Sequence, residues 1–294
     1  MIINSQLGGK KPTGTKSITT NGVHDVTNYA SADVQVPSSV PAHYIEKVKK
    51  TVVIGYYTYT ETLCSGYNDL DLTGVKNISD YSLAYAYYQK DPTNTKTGTA
   101  LKNATSLTLV SGDHALTYAF YNNTGITHTG LNYLQKINGS NSFISCFEKC
   151  SSLTNIGLDN LEEITSTAIY ALARCFAESG ITTADFIKLS KIDIWSAFGQ
   201  NAYNSCFNSC TNLQNIYFRA VKASTFASLA TQLKFLCGTT TGSSATGGCT
   251  IHFPSNFDPS NPDKTFDAST LDGYPTFGGS ASYIHVAFDL PATE

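Results

Sequence analysis

The chain has 294 residues, 41% of them hydrophobic and only 14% charged, with a formal net charge of −3 at pH 7. That length supports a sizeable core and more than one domain. The slightly acidic balance excludes a basic nucleic-acid groove, and no window approaches the roughly 18 apolar residues of a membrane helix. Polarity is carried instead by Ser, Thr, Asn, Gly and 18 Tyr, a composition suited to hydrogen-bonding and aromatic contacts.

Residues 1–44 read as a small all-β module. Asn21-Gly22 is the strongest short-range hairpin signal, because both turn positions need φ > 0. Alternation continues through Ala32, Val34 and Val36 and stops at Pro37, with Pro41 just beyond. The set Gly14, Thr15, Ile18, Thr19, Asn21, Gly22, Asp25, Val26, Tyr29, Ala30, Val34, Val36 and Pro37 resembles a short module common in tail and other virion proteins of phages that infect gut bacteria. The resemblance implies attachment to other virion proteins. Residues 1–9 lack a basic stretch followed by an apolar one, so no secretory signal is expected, and 291–294 carry no sorting signal or anchor.

Lys47, Lys49 and Lys50 precede the strand-like run Thr51-Val52-Val53-Ile54 and read as a solvated junction. Within the segment 45–224 an apolar code then recurs six times, at offsets +3, +5, +8 and +11 from each start. From Leu153 it gives Ile156, Leu158, Leu161 and Ile164; from Tyr67, Leu70, Leu72, Val75 and Ile78. From Ile126 it gives Thr129, Leu131, Leu134 and Ile137; from Ile181, Ala184, Phe186, Leu189 and Ile192. Leu213 gives Ile216, Phe218 and Val221, then misses at Ser224. A weaker copy from Lys96 gives Thr99, Leu101, Ala104 and Leu107. A fixed period marks a solenoid, in which each unit buries its apolar side chains only against its neighbours. Offsets +3 and +5 share one face of a short strand, and +8 and +11 fit a turn or short helical segment.

An aromatic and cysteines precede the units: Phe120, Phe147 and Phe207 six residues before theirs, Phe176 five before, and Cys64, Cys150 and Cys210 three before. These residue types favour burial, so this stretch is expected to form a second wall. The run Cys146-Phe147-Glu148-Lys149-Cys150-Ser151-Ser152-Leu153-Thr154-Asn155-Ile156, with its partner from Cys206 to Ile216, resembles the BspA-like class of leucine-rich repeats. The resemblance covers about residues 61–224 and implies an α/β repeat solenoid of about six units. Most spacings exceed the family's usual period, which implies extra residues at the turns or convex side.

The C-x3-C pairs Cys146/Cys150 and Cys206/Cys210 have no nearby His and follow the repeat register, so they read first as stacked buried thiols, second as disulfides between neighbouring coils and last as a zinc site. Cys237 and Cys249 flank the Gly/Thr/Ser-rich stretch 238–248 and are the best candidates for a disulfide. Residues 225–294 are expected to cap the open end. Phe226, Leu229, Leu233 and Leu236 have helical spacing, 250–254 and 282–288 read as strands, and 254–275 as a long loop.

The positions between the buried ones, at +2, +4 and +6, are expected to line up as one outward sheet face. Its candidate partner-binding residues are Asp69, Asp71, Lys102, His128, Asn132, Asn155, Asp159, Asp185, Asn215, Tyr217 and Arg219. Tyr and Arg are the types enriched at binding hot spots, which singles out the last two. The histidines do not cluster, and no nucleophile elbow, zinc-protease string or phosphate loop occurs. Asp69 and Asp71 share a strand face but read as solvated, not as a glycosidase pair. No enzyme, cofactor or metal is therefore expected.

The expected function is that of a phage virion structural protein, in tail, fibre or capsid decoration, that displays its repeats to a host-surface glycan or protein. A homo-oligomer is expected, since such assemblies are commonly symmetric. The alternative is a bacterial cell-surface BspA-like adhesin, whose relatives need export signals, which are not expected here.

Overall fold

The computed structural model describes residues 46–54, 57–65, 97–199, 202–222, 248–257 and 284–293, with 72, 74–78, 80, 83, 84, 87, 236 and 237. The N-terminal β module, Asp69, Asp71 and most of the expected capping helix and long loop lie outside the described residues. β1 (Glu46–Ile54) and β2 (Tyr57–Ser65) pair antiparallel in continuous register from Glu46↔Ser65 to Ile54↔Tyr57. Cys64 therefore lies on a hairpin strand and not in the wall that holds Cys150 and Cys210.

Beyond the hairpin the chain winds as a parallel β-solenoid of about five turns. One face is a ladder of two-residue strands: β3 (Asn77–Ile78), β5 (Leu109–Val110), β7 (Lys136–Ile137), β8 (Glu163–Ile164) and β10 (Lys191–Ile192). Ile78, Val110, Ile137, Ile164 and Ile192 form its buried column. A second face begins with β4 (Thr97–Thr99) and β6 (Gly125–His128), passes through a single bridge from Asn155 to Thr183, and ends in a four-stranded sheet. That sheet runs β9 (Thr183–Phe186), β11 (Asn215–Phe218), β12 (Cys249–Pro254) and β13 (Ile284–Leu290).

Two expectations change here. The last apolar offset, read as a turn or short helical segment, is a strand in every described coil from β3 to β10. Helix among the described residues is confined to 3-10 turns at Trp195–Phe198, Ala202–Asn204 and Ser255–Phe257, so the α part of the α/β reading has little to stand on. The second unit is also displaced. The coil closures Val75 N–H to Leu72, Leu107 to Ala104, Leu134 to Leu131 and Leu161 to Leu158 are equivalent, and Val110 pairs with Ile78 and Ile137. Ala104, Leu107 and Val110 thus fill the columns assigned to Leu101, Ala104 and Leu107. Leu101, Ala104, Leu107 and Val110 are three apart and all buried, so the pattern admits both registers and only the pairing decides.

The third wall is built from tandem turns. Along 114–123, alternate N–H groups close turns onto the carbonyl three residues back (Thr117 to His114, Ala119 to Leu116, Tyr121 to Tyr118, Asn123 to Phe120). The intervening N–H groups donate to the next coil: His114 to Ser140, Leu116 to Ser142, Tyr118 to Ile144, Phe120 to Cys146, Asn122 to Glu148. The same two sets recur at 141–150 and 170–179. Each step of four needs one residue at positive φ, and none is glycine: His114, Tyr118 and Asn122, then Asn141, Ser145 and Lys149, then Tyr170, Arg174 and Glu178. The left-handed conformation costs roughly 1–2 kcal/mol for such residues. It is offset by hydrogen bonds that leave the wall's backbone donors paired.

The core fills this frame in columns. Tyr87, Phe120, Phe147, Phe176 and Phe207 stack with centroid separations of 5.3, 5.4, 5.7 and 5.7 Å. Phe186, Phe218, Phe253 and Phe288 form a second ladder at 5.0, 5.5 and 6.1 Å, with Phe198 edge-on to Phe186 and Phe218. Cys146, Cys150, Cys175, Cys206 and Cys210 are buried free thiols, as the repeat register predicts.

Candidate functional site

The outward face holds two groups of the predicted residues. In the earlier coils they stand apart or pair locally. Lys102 is half-buried beyond β4, and its carbonyl accepts the Leu72 N–H. His128 is exposed at the end of β6 with Nδ1 2.9 Å from its neighbour Thr127 Oγ1. Asn132 donates to Asp159 at 3.0 Å across one coil. Asn155 folds back to accept the Gly157 N–H at 2.7 Å. Ala100 and Gly157, at offsets read as outward, are buried. Both lie where coils approach closely; the Gly157 backbone is at φ +65° beside Thr129.

The second group comes together on the four-stranded sheet. Parallel pairing sets Asp185 opposite Tyr217 and Tyr217 opposite His252. The alternation of each strand holds Ala184, Phe186, Ile216, Phe218, Ile251 and Phe253 in the core and turns the intervening residues outward. Arg219 grips Asp185 through Nε at 2.9 and 3.0 Å and a terminal nitrogen at 2.8 Å. That hydrogen-bonded carboxylate holds the guanidinium further toward its charged form than usual. The same guanidinium lies 4.6 Å from the centre of the Tyr217 ring. Tyr217 stacks on His252 with centroids 4.4 Å apart and planes 20° apart. His252 places Nδ1 2.9 and 3.0 Å from the Asp289 carboxylate oxygens and Nε2 3.1 Å from Asn215 Oδ1.

The result is one continuous row, Asp185–Arg219–Tyr217–His252–Asp289, with Asn215 bracing the imidazole. It crosses all four strands from β9 to β13. Two of its members, His252 and Asp289, are absent from the predicted set because the repeat code does not extend past residue 224. The strand reading of 250–254 and 282–288 was the available signal. Chemically the row is a rigid surface of alternating carboxylate, guanidinium and aromatic groups. Each side chain is oriented by its neighbour, so little rotamer freedom remains to be lost when a partner docks.

A second polar cluster lies on the turn wall. Glu148, only 4% exposed, receives two bonds from Arg174, at 3.0 and 2.6 Å, and Arg174 also donates to the Tyr203 carbonyl at 2.6 Å. Lys149 sits 5.4 Å from the Tyr121 ring centre and 3.8 Å from Glu178. These contacts join successive coils and satisfy one another, which is a structural arrangement. Among the described residues no group of three or more His, Cys, Asp or Glu is arranged to hold a metal ion. No helix of the described residues is long and apolar enough to cross a membrane. Comparison with known proteins finds no matching family model, no matching curated protein and no matching solved structure.

Proposed function

We propose that this protein is a phage virion structural component, in tail, fibre or capsid decoration, which displays a BspA-like leucine-rich-repeat solenoid and binds a host-surface glycan or protein through the face that ends at β13. The observation that carries the binding role is the pre-oriented row from Asp185 to Asp289. It joins two of the residue types enriched at hot spots, Tyr217 and Arg219, to hydrogen-bonding groups on neighbouring strands. The virion context is supported by the Gly14-to-Pro37 motif, and attachment to other virion proteins belongs to that N-terminal module. Binding alone is the role; no chemistry is assigned to the row. The second reading, a bacterial cell-surface adhesin, draws on the repeat motif around Cys146–Ile156 and uses the same face.

The test is direct. Purified protein is applied to immobilised bacterial surface polysaccharides and to whole cells, beside Tyr217→Ala/Arg219→Ala. Binding that is lost in the double variant while the unfolding midpoint moves by only a few degrees supports the reading. Equal binding by both proteins removes this face as the contact surface. Labelling of purified phage particles, against labelling of bacterial cells, separates the two contexts.

A further inference from the structure

Beside the charged row, the same sheet carries a second file of side chains, two positions earlier on β9, β11 and β12. Parallel pairing sets Thr183 opposite Asn155 on one side and Asn215 on the other, Asn215 opposite Thr250, and Thr250 opposite His285. The alternation that buries Ala184, Ile216 and Ile251 turns Thr183, Asn215 and Thr250 outward, and Asn155 and His285 are exposed. The file Asn155–Thr183–Asn215–Thr250–His285 thus takes one side chain from each successive coil. At about 4.8 Å per strand it runs about 19 Å along the solenoid axis.

Its chemistry differs from that of the neighbouring row. None of the five is a carboxylate, an ammonium or a guanidinium. Asn155 Oδ1 accepts the Gly157 N–H at 2.7 Å, and Asn215 Oδ1 lies 3.1 Å from His252 Nε2. Both amides are thereby fixed, with their Nδ2 donors left to an incoming group. Among the described residues the Thr183 and Thr250 hydroxyls and the His285 ring make no side-chain hydrogen bond. Threonine hydroxyls both donate and accept, as sugar hydroxyls do, whereas a carboxylate only accepts and a guanidinium only donates. Thr183 and Thr250 are also stiff at χ1, so ordering them against a ligand costs little.

We infer that this file seats a linear, uncharged polysaccharide lying along the solenoid axis, with one hydrogen-bonding contact per coil. The inference rests on the reading that this face binds a partner, and it commits that partner to a neutral glycan. Charge decides against an anionic polymer. In the adjoining row the carboxylates of Asp185 and Asp289 flank a single guanidinium, which Asp185 already grips, so the row offers an anion no net attraction. Length decides against a small sugar. A monosaccharide reaches only part of the file, whereas a chain engages all of it, each further contact being intramolecular once the first is made.

The experiment applies the full chain to immobilised dextran, mannan and galactan, with alginate as the anionic comparison, beside Thr183→Val/Thr250→Val. Valine keeps the shape and strand preference of threonine and removes the hydroxyl. A neutral polymer should bind equally at low and high salt, since it carries no charge to screen. Long oligosaccharides of that polymer should compete better than short ones. The double variant should bind about tenfold more weakly, as expected for two lost hydrogen bonds, with an unchanged unfolding midpoint, and Thr183→Ser/Thr250→Ser should restore most of the binding. Alginate bound in preference and released by salt overturns the inference. So does a valine variant that binds as the unaltered protein does, or no binding to any of the three neutral polymers. Each of these results leaves the earlier reading of the face standing if whole-cell binding is still lost in Tyr217→Ala/Arg219→Ala; if it is not, that reading falls as well. Should the valine variant fold poorly, the salt and chain-length dependence of the unaltered protein decides.

Discussion

Phe147 is the most informative single residue to remove. It is fully buried at the middle of the aromatic column, 5.4 Å from Phe120 and 5.7 Å from Phe176, with planes inclined by only 3° and 6°. Truncation to Ala deletes a ring that two coils share. The transfer and cavity costs of a buried Phe→Ala change are about 3–5 kcal/mol. The stacking lost on each side is worth about 0.5–1.5 kcal/mol beyond area, which places this site at the upper end of that range. In a molecule whose coils touch only their neighbours, the damage also falls on the coupling between the two halves. Urea unfolding followed by circular dichroism should therefore show a loss of about 4–5 kcal/mol and a transition that broadens or splits. Tyr133→Ala, at a half-exposed position, is the control and should cost under about 1 kcal/mol. A Phe147→Ala loss no larger than that of the control would refute the shared-column reasoning.

Three further outcomes follow from particular contacts. Gly130 has φ +80°, and a Cβ there would sit 2.1 Å from the Leu101 carbonyl oxygen, so Gly130→Ala should cost about 2–4 kcal/mol by thermal unfolding. Glu163 bridges Lys136 and Lys191 at 2.7 Å each, and these hydrogen bonds hold its carboxyl below the ordinary value of 4.5. A depressed acid stabilises the fold above its unfolded pKa and ceases to do so as pH falls through the folded one. The midpoint gap between the unaltered protein and Glu163→Gln should thus be present and small at pH 7, and should shrink as pH falls from the ordinary value of 4.5 through the lower folded one. Burial pushes the thiols of Cys150 and Cys210 up to about 12 and those of Cys146, Cys175 and Cys206 well above the ordinary range. Native protein at pH 8 should react with a thiol reagent far more slowly at these five positions than protein in denaturant, as peptide mapping of the labelled sites would report.

The columns of the solenoid are written in the sequence because coil contacts are nearest-neighbour. Along its column a residue such as Ile137 is flanked by its equivalents Val110 and Ile164, so a fixed spacing is enough to reveal the column. The same holds for the aromatic stack and for the parallel strands that bring Asp185, Tyr217 and Arg219 together. Where the code is degenerate, it fails for a physical reason. A run of buried residues three apart, from Leu101 to Val110, supports two registers, and only the hydrogen bonds of the neighbouring coils select one. The aromatics and cysteines mark the third wall in the sequence, but its tandem-turn conformation was illegible. Its left-handed positions carry Tyr118, Lys149 and Arg174 rather than Gly, so no local signal marks a conformation that the cross-coil hydrogen bonds impose. The union of Tyr217 with His252 and Asp289 belongs to tertiary structure alone, because strand pairing beyond the last recognisable unit brings together residues 35 and 72 positions away in the chain.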